Sequence, residues 1–175
     1  MPELGDVRRL GREALTTEFL YVPAGQGAKE KAFWIARHEV TLRQYADFIR
    51  FNPEWRWDAI TPSMADADYL KSWDHREPDF VHYDEPVVSV SFFAAQAFCT
   101  WADLRLPKLE EWERAAALLS GRGFERLASN CPIGNWTATL GKGTRRVIAG
   151  GEDEPEGHRP TALSPFWGFR CAADG

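Results

Sequence analysis

No stretch of this chain alternates strand, helix and strand in the way that builds a parallel sheet. Helical periods occupy its middle, and short β runs separated by glycine close it, which is the order of an α+β domain. Thr41-Leu-Arg-Gln44 has the form of a capping box, and the helix it opens puts Leu42, Tyr45, Phe48 and Ile49 on one face. Ser91 caps a second helix predicted to run to about Leu104, with Ala94, Ala97, Phe98 and Trp101 inward. A third spans about Leu109 to Leu119, with Leu109, Trp112, Ala116 and Leu119 inward, and Ser120-Gly121 ends it. Glu18–Pro23, Ala32–Arg37 and Pro86–Ser91 read as strands, as do Ile133–Leu140, Arg145–Ala149 and Phe166–Ala172. Residues 52–85 have no period and are rich in Pro, Asp and Trp, a length of irregular chain that usually carries function or braces a surface. The organisation expected is an N-terminal arm, residues 1–15, flexible or helical, followed by one domain over residues 16–175.

Composition narrows the function. With 21 Lys and Arg against 26 Asp and Glu the chain lacks the basic stripe of a nucleic-acid binder. Its longest apolar runs, Ala115–Leu119 among them, are far short of the ~20 residues of a membrane span. Arg8, Arg9 and Arg12 are followed by no apolar signal-peptide core, so the expectation is a cytoplasmic protein without membrane insertion. The 8 Trp and 11 Phe are rings either fixed in a core or displayed to a partner. Cys99, Cys131 and Cys171 form no CxxC pair, which removes zinc-ribbon and thioredoxin-type readings.

Two adjoining segments are more distinctive than their periodicity: Glu85-Pro-Val-Val-Ser-Val-Ser-Phe-Phe-Ala-Ala-Gln-Ala-Phe-Cys-Thr-Trp-Ala102 and Arg105-Leu-Pro-Lys-Leu-Glu-Glu-Trp-Glu113. Further segments stand in matching order: Phe19-Leu-Tyr-Val-Pro-Ala-Gly25, His38-Glu-Val-Thr41 with Gln44-Tyr45 and Phe48, Gly134-Asn-Trp-Thr137, and Gly168-Phe-Arg-Cys-Ala-Ala-Asp174. Together they resemble the formylglycine-generating-enzyme (sulfatase-modifying-factor) family across nearly the whole chain. The resemblance implies a C-type-lectin-like α+β fold with little regular secondary structure. Relatives implied by it are copper-dependent oxidases that convert a sulfatase cysteine to formylglycine, iron-dependent sulfoxide synthases of ergothioneine assembly, and non-catalytic binding proteins.

The oxidases of that family carry a cysteine pair just before the final Gly-Phe-Arg, and copper(I) prefers such soft thiolates. Here residues 151–167 contain no cysteine. Neither the copper site nor a mixed disulfide with substrate is therefore expected. Cys99 and Cys171 match the family's structural pair, which leaves a disulfide or two buried reduced thiols as alternatives; Cys131 has no partner in either. The iron-dependent relatives draw their histidine ligands largely from another domain, and His38, His75, His82 and His158 have no metal-ligand spacing. The family's calcium motif is shortened to Gly134-Asn135-Trp136-Thr137 without its acidic residue, and Glu152, Asp153, Glu154 and Glu156 read as a solvated turn. No resident cofactor is expected. Lys108 replaces the Thr usual before the third helix, a lost cap worth about 1 kcal/mol.

What remains is surface. The resemblance places ligand contacts in the late β region, giving Trp136, Thr137, Thr139, Arg159, Phe166 and Trp167 as candidates. Trp55, Trp57 and Trp73 form a second aromatic cluster in the long loop. The function expected is a non-catalytic module that binds a protein partner or ligand. The alternative is a metal-dependent oxidoreductase that uses other residues or a partner subunit.

Overall fold

The computed structural model describes all residues except 13, 14, 16, 27–29, 72, 74–82, 123, 125–132 and 151–156. Its elements are β1 (Val7–Arg9), β2 (Glu18–Val22), β3 (Phe33–Ala36), α1 (Leu42–Phe51), α2 (Phe92–Trp101), α3 (Leu109–Leu119), β4 (Gly134–Leu140), β5 (Arg146–Ala149), β6 (Trp167–Gly168) and β7 (Ala172–Asp174). One antiparallel sheet has the order β1-β2-β3-β7; a second has the order β5-β4-β6, with β6 parallel to β4. Among the described residues no helix is long and apolar enough to cross a membrane.

Alternation along β2 and β3 sorts side chains between two cores. Leu20, Val22, Phe33 and Ile35 pack under α3 with Trp112, Ala115 and Leu119. Phe19, Trp34 and Ala36 face the other way, onto the larger core of Tyr45, Phe48, Phe98, Trp136 and Phe169. All four residues of β3 are therefore buried.

Both side-chain caps expected for α1 and α2 are made. Thr41 Oγ1 accepts from Gln44 N at 3.3 Å while Gln44 Oε1 accepts from Thr41 N at 3.0 Å, and Ser91 Oγ accepts from Ala94 N at 3.1 Å. α3 is capped differently. Glu111 reaches back to Lys108 N at 2.8 Å, and Thr139 Oγ1, from β4, accepts from Leu109 N at 2.8 Å. A hydroxyl thirty residues downstream thus supplies the acceptor that Lys108 lacks. Thr139→Val should cost about 1 kcal/mol in a urea titration, and Lys108→Thr in that background should restore most of it.

Several boundaries differ from the sequence reading. Residues 7–9, expected in an arm, are the edge strand β1. α2 stops at Trp101 because Asp103 turns to a φ of 61°. Its inward row is Ala94, Ala95, Phe98 and Cys99, whereas Ala97 and Trp101 are only half-buried; in α3 Ala115 is buried and Leu109 and Ala116 are partly exposed. Pro86–Ser91 forms only an isolated bridge, Thr41 with Pro86, since Ser89 has a φ of 56° that interrupts an extended run. The expected strand Phe166–Ala172 is two strands in different sheets. Between them Arg170 turns inward, fully buried, and pairs with buried Glu39 at 2.7 Å.

Candidate binding surface

The late β region supplies less surface than expected. Trp136 is fully buried; its Nε1 donates to Val90 O at 2.9 Å, and its ring meets Trp167 edge-on at 5.4 Å. Thr137 is buried and donates to Val147 O at 2.8 Å across the β4–β5 pair. Trp167 is buried against His158, with ring centroids 4.2 Å apart. These three belong to the core because β4 and β6 lie side by side under the start of α2, and Thr139 is occupied by its cap. Phe166 stays 55% exposed, and Arg159 projects outward beside Asp66 at 3.4 Å.

The loop tryptophans are placed by a hydroxyl pair. Tyr45 and Tyr69, both buried, bond through their hydroxyls at 2.6 Å, and Tyr69 donates to Trp55 O at 2.9 Å. This fastens the loop over α1. Burial pushes the Tyr45 and Tyr69 phenols up, so both stay protonated donors at neutral pH. Trp55 leans on Phe48 at 6.3 Å, Trp73 stands edge-on to Tyr45 at 6.3 Å, and Trp57 remains 45% exposed.

The loop and the two helices leave an open groove of about 450 Å³, lined by Phe48, Trp55, Met64, Phe93, Ala97 and Trp101. Met64 is 41% exposed; at the rim Phe51 is 66% exposed and stacks on Trp101. Arg12 lies over the Trp101 ring at 5.3 Å, facing Asp103. Of the sequence candidates only Trp55 lines this groove, with Trp57 on the same loop. Phe51, Met64, Phe93 and Trp101 were missed. A signal was there: Phe92–Trp101 is apolar almost all round, with Gln96 and Thr100 its only polar residues, and a helix of that pattern calls for cover on every side.

A larger cleft of about 880 Å³ runs beside the start of α3. Its main charges are already matched: Arg105 holds Glu111 through two bonds of 2.7 and 2.8 Å and Asp174 through one of 2.9 Å. Arg114 and Glu30 pair at 3.6 Å, and the remaining Lys31, Lys108, Glu110 and Glu113 mix both signs, which selects no ligand class.

Cys99 and Cys171 are adjacent, buried and free. Burial pushes the Cys99 thiol up, contact with Cys171 adds to that, and Arg105 pulls weakly the other way. Because thiolate is the reactive form, Cys99 should resist iodoacetamide at pH 8 in the folded protein and alkylate in urea, as read by peptide mass. His75, His82, Cys131, Glu152, Asp153, Glu154 and Glu156 lie outside the described residues. Among the described residues no three His, Cys, Asp or Glu side chains are placed to hold a metal ion. Asn135, from the shortened calcium motif, is buried and turns its amide to Ile133 O at 3.0 Å, beside Glu39, which Arg170 already engages. That donor set does not fit calcium, and two thiols closed off in the core are not an open copper(I) site.

Residues 8–146 match the sulfatase-modifying factor enzyme 1-like domain. The chain belongs to this FGE-sulfatase family. Formylglycine-generating enzyme of Bos taurus is 37% identical over 167 residues, covering 79% of this chain and 45% of that one. Hercynine oxygenase of Mycobacterium tuberculosis is 33% identical over 109 residues, 54% of this chain and 26% of that one. The hercynine oxygenase of Mycolicibacterium smegmatis is 56% identical over 101 residues, 49% of this chain and 23% of that one. The chain thus spans less than half the length of these curated relatives. The crystal structure of CarF shares the fold, with a TM-score of 0.50 over 83% of this chain and 87% of that one at 17% identity. The α+β architecture is that of an FGE-sulfatase domain, whatever chemistry each relative performs.

Proposed function

We propose that this FGE-sulfatase domain is a binding module whose contact surface is the aromatic groove between α1, α2 and the long loop. The observation that carries the reading is the outer face of α2. Phe93, Ala97 and Trp101 are apolar and only half-covered, beside exposed Phe51 and Met64. Contiguous apolar patches of this kind mark interaction sites, and rigid rings contribute contact area at low entropy cost. Arg159 and Asp66 extend the surface, since Asp66 N is bonded to Thr161 O at 3.0 Å and so ties the loop to the segment before β6. Absence of cysteine from residues 151–167 weighs against copper-dependent oxidation.

A photo-crosslinking residue placed at Gln96, in full-length protein inside its own cells, should give a discrete adduct. The same residue at Arg122, beyond α3, should give none. Equal labelling from both positions, or none at either, would remove this reading.

A second reading is favoured by the relatives' names, formylglycine-generating enzyme and hercynine oxygenase, and by the short share of each that this chain spans. It is a metal-dependent oxidoreductase half-site completed by another domain or subunit. Stoichiometric copper or iron in protein purified from its own cells, with thiol-dependent oxygen uptake, would establish it.

A further inference from the structure

Independently of the α1–α2 groove, we infer that the open edge of β1 receives an acidic, extended segment of a partner protein as an added β-strand. Tyr21 N donates to Asp6 O at 2.9 Å, so Asp6 faces β2. Antiparallel alternation then turns the backbone groups of Arg8 toward β2 and those of Val7 and Arg9 outward. Neither the N–H nor the C=O of Val7 or Arg9 has a hydrogen-bond partner among the described residues, and all of β1 is exposed. Other sheet edges are closed by the chain itself. On the outer side of β7, Arg105 and Ala172 exchange bonds of 3.0 and 2.7 Å, and at the start of β5 Arg146 and His158 exchange two of 2.8 Å. Two donors and two acceptors left in water at strand spacing are complementary to another extended backbone and not to a helix.

Charge narrows the partner. Among the described residues neither Arg8 nor Arg9 has a carboxylate paired with it. Glu18, opposite Arg9 in the ladder, is held by Arg37 at 3.0 Å; Asp6 accepts from the Glu3 amide at 2.8 Å, and Arg12 faces Asp103. Being adjacent, the two cations stand on opposite faces of the sheet, Arg8 on that of Phe19, and Arg9 with Val7 on that of Leu20. A strand laid antiparallel along this edge meets them with two consecutive acidic residues, followed by a β-branched apolar residue opposite Val7. The same cations argue against a second copy, since pairing β1 with β1 of another molecule sets Arg beside Arg.

The probe is a labelled peptide of about nine residues with Thr-Val-Glu-Glu-Val-Thr at its centre, and a twin with Lys for both Glu, titrated into the whole protein by fluorescence anisotropy. The Glu peptide should bind at least about tenfold tighter than its twin, and Arg8→Glu with Arg9→Glu, both at exposed positions, should reverse that preference. At saturation, hydrogen exchange of the Val7 and Arg9 amides should slow about tenfold or more, while the Arg8 amide, already inside the β1–β2 ladder, changes little. N-methylation of every second peptide amide should abolish binding in one phase and spare it in the other. Equal affinity of the two peptides, binding by neither, unchanged exchange at Val7 and Arg9, or equal effects of the two methylation patterns each overturns the inference. So does sedimentation showing a dimer that the Arg8→Glu, Arg9→Glu protein does not form, which would make the occupant a second copy. None of these outcomes bears on crosslinking from Gln96, which tests the groove alone.

Discussion

Arg170→Ala should destabilise the fold by about 3 to 5 kcal/mol, more than a surface substitution can. The guanidinium and the Glu39 carboxylate are both fully buried and 2.7 Å apart. Arg170 also donates to the backbone oxygens of Ala36 and Arg37, at the end of β3, and its guanidinium lies 4.3 Å over the Phe124 ring. Removing it leaves a carboxylate in a dry interior without its counter-ion and takes a donor from two backbone oxygens. Glu39→Ala should cost a similar amount by stranding the cation. Much of that loss is the penalty of an unpaired charge, so Arg170→Met with Glu39→Leu should recover more than half of the single-variant loss. Urea midpoints of the three variants check this. Two singles that each cost below about 1 kcal/mol would mean water reaches the pair.

Trp136→Ala should cost about 3 to 5 kcal/mol, with no change in partner binding once the protein is folded. The indole fills the space between Phe92 and Trp167, with ring centroids 6.1 and 5.4 Å away, and its N–H satisfies Val90 O. Trp136→Phe keeps most of the volume but leaves that buried carbonyl without its donor, and should cost about 1 to 3 kcal/mol. A ligand-contact role at the same position makes the opposite forecast, with stability unchanged and affinity lost. Thermal melts and titration of the two variants separate these roles directly.

Local chemistry was readable where partners are close in sequence. Thr41 with Gln44, and Ser91 with Ala94, cap their helices within four residues, so spacing alone reveals them. Thr139 capping α3 was not readable, because its partner is thirty positions away and depends on where β4 is laid. The same reason hides the division of the last strand: Trp167 pairs with Gly134 and Ala172 with Ile35, which only the packing of two sheets decides. The resemblance makes Trp136 and Trp167 ligand candidates, and sequence alone does not correct it, because an aromatic residue in a strand looks the same whether its face meets a core or solvent. The groove went unread for the opposite reason. The periodicity of α2 assigned Ala97 and Trp101 to the interior, and only the tertiary structure leaves that side of the helix half-covered.

The division of the final strands also bears on how the chain is made. Trp167–Gly168 completes one sheet and Ala172–Asp174 completes the other, while Phe169 and Arg170 between them enter the larger core and the Glu39 pair. A growing polypeptide that has not yet released residues 167–174 from the ribosome holds two unfinished sheets, each with an open edge, and a buried-to-be carboxylate without its counter-ion. Both sheets and the ion pair then close on one short segment. Such long-range closure is slow and leaves edges open to other chains in the meantime. Newly made protein is accordingly most dependent on chaperones in the interval before those eight residues emerge.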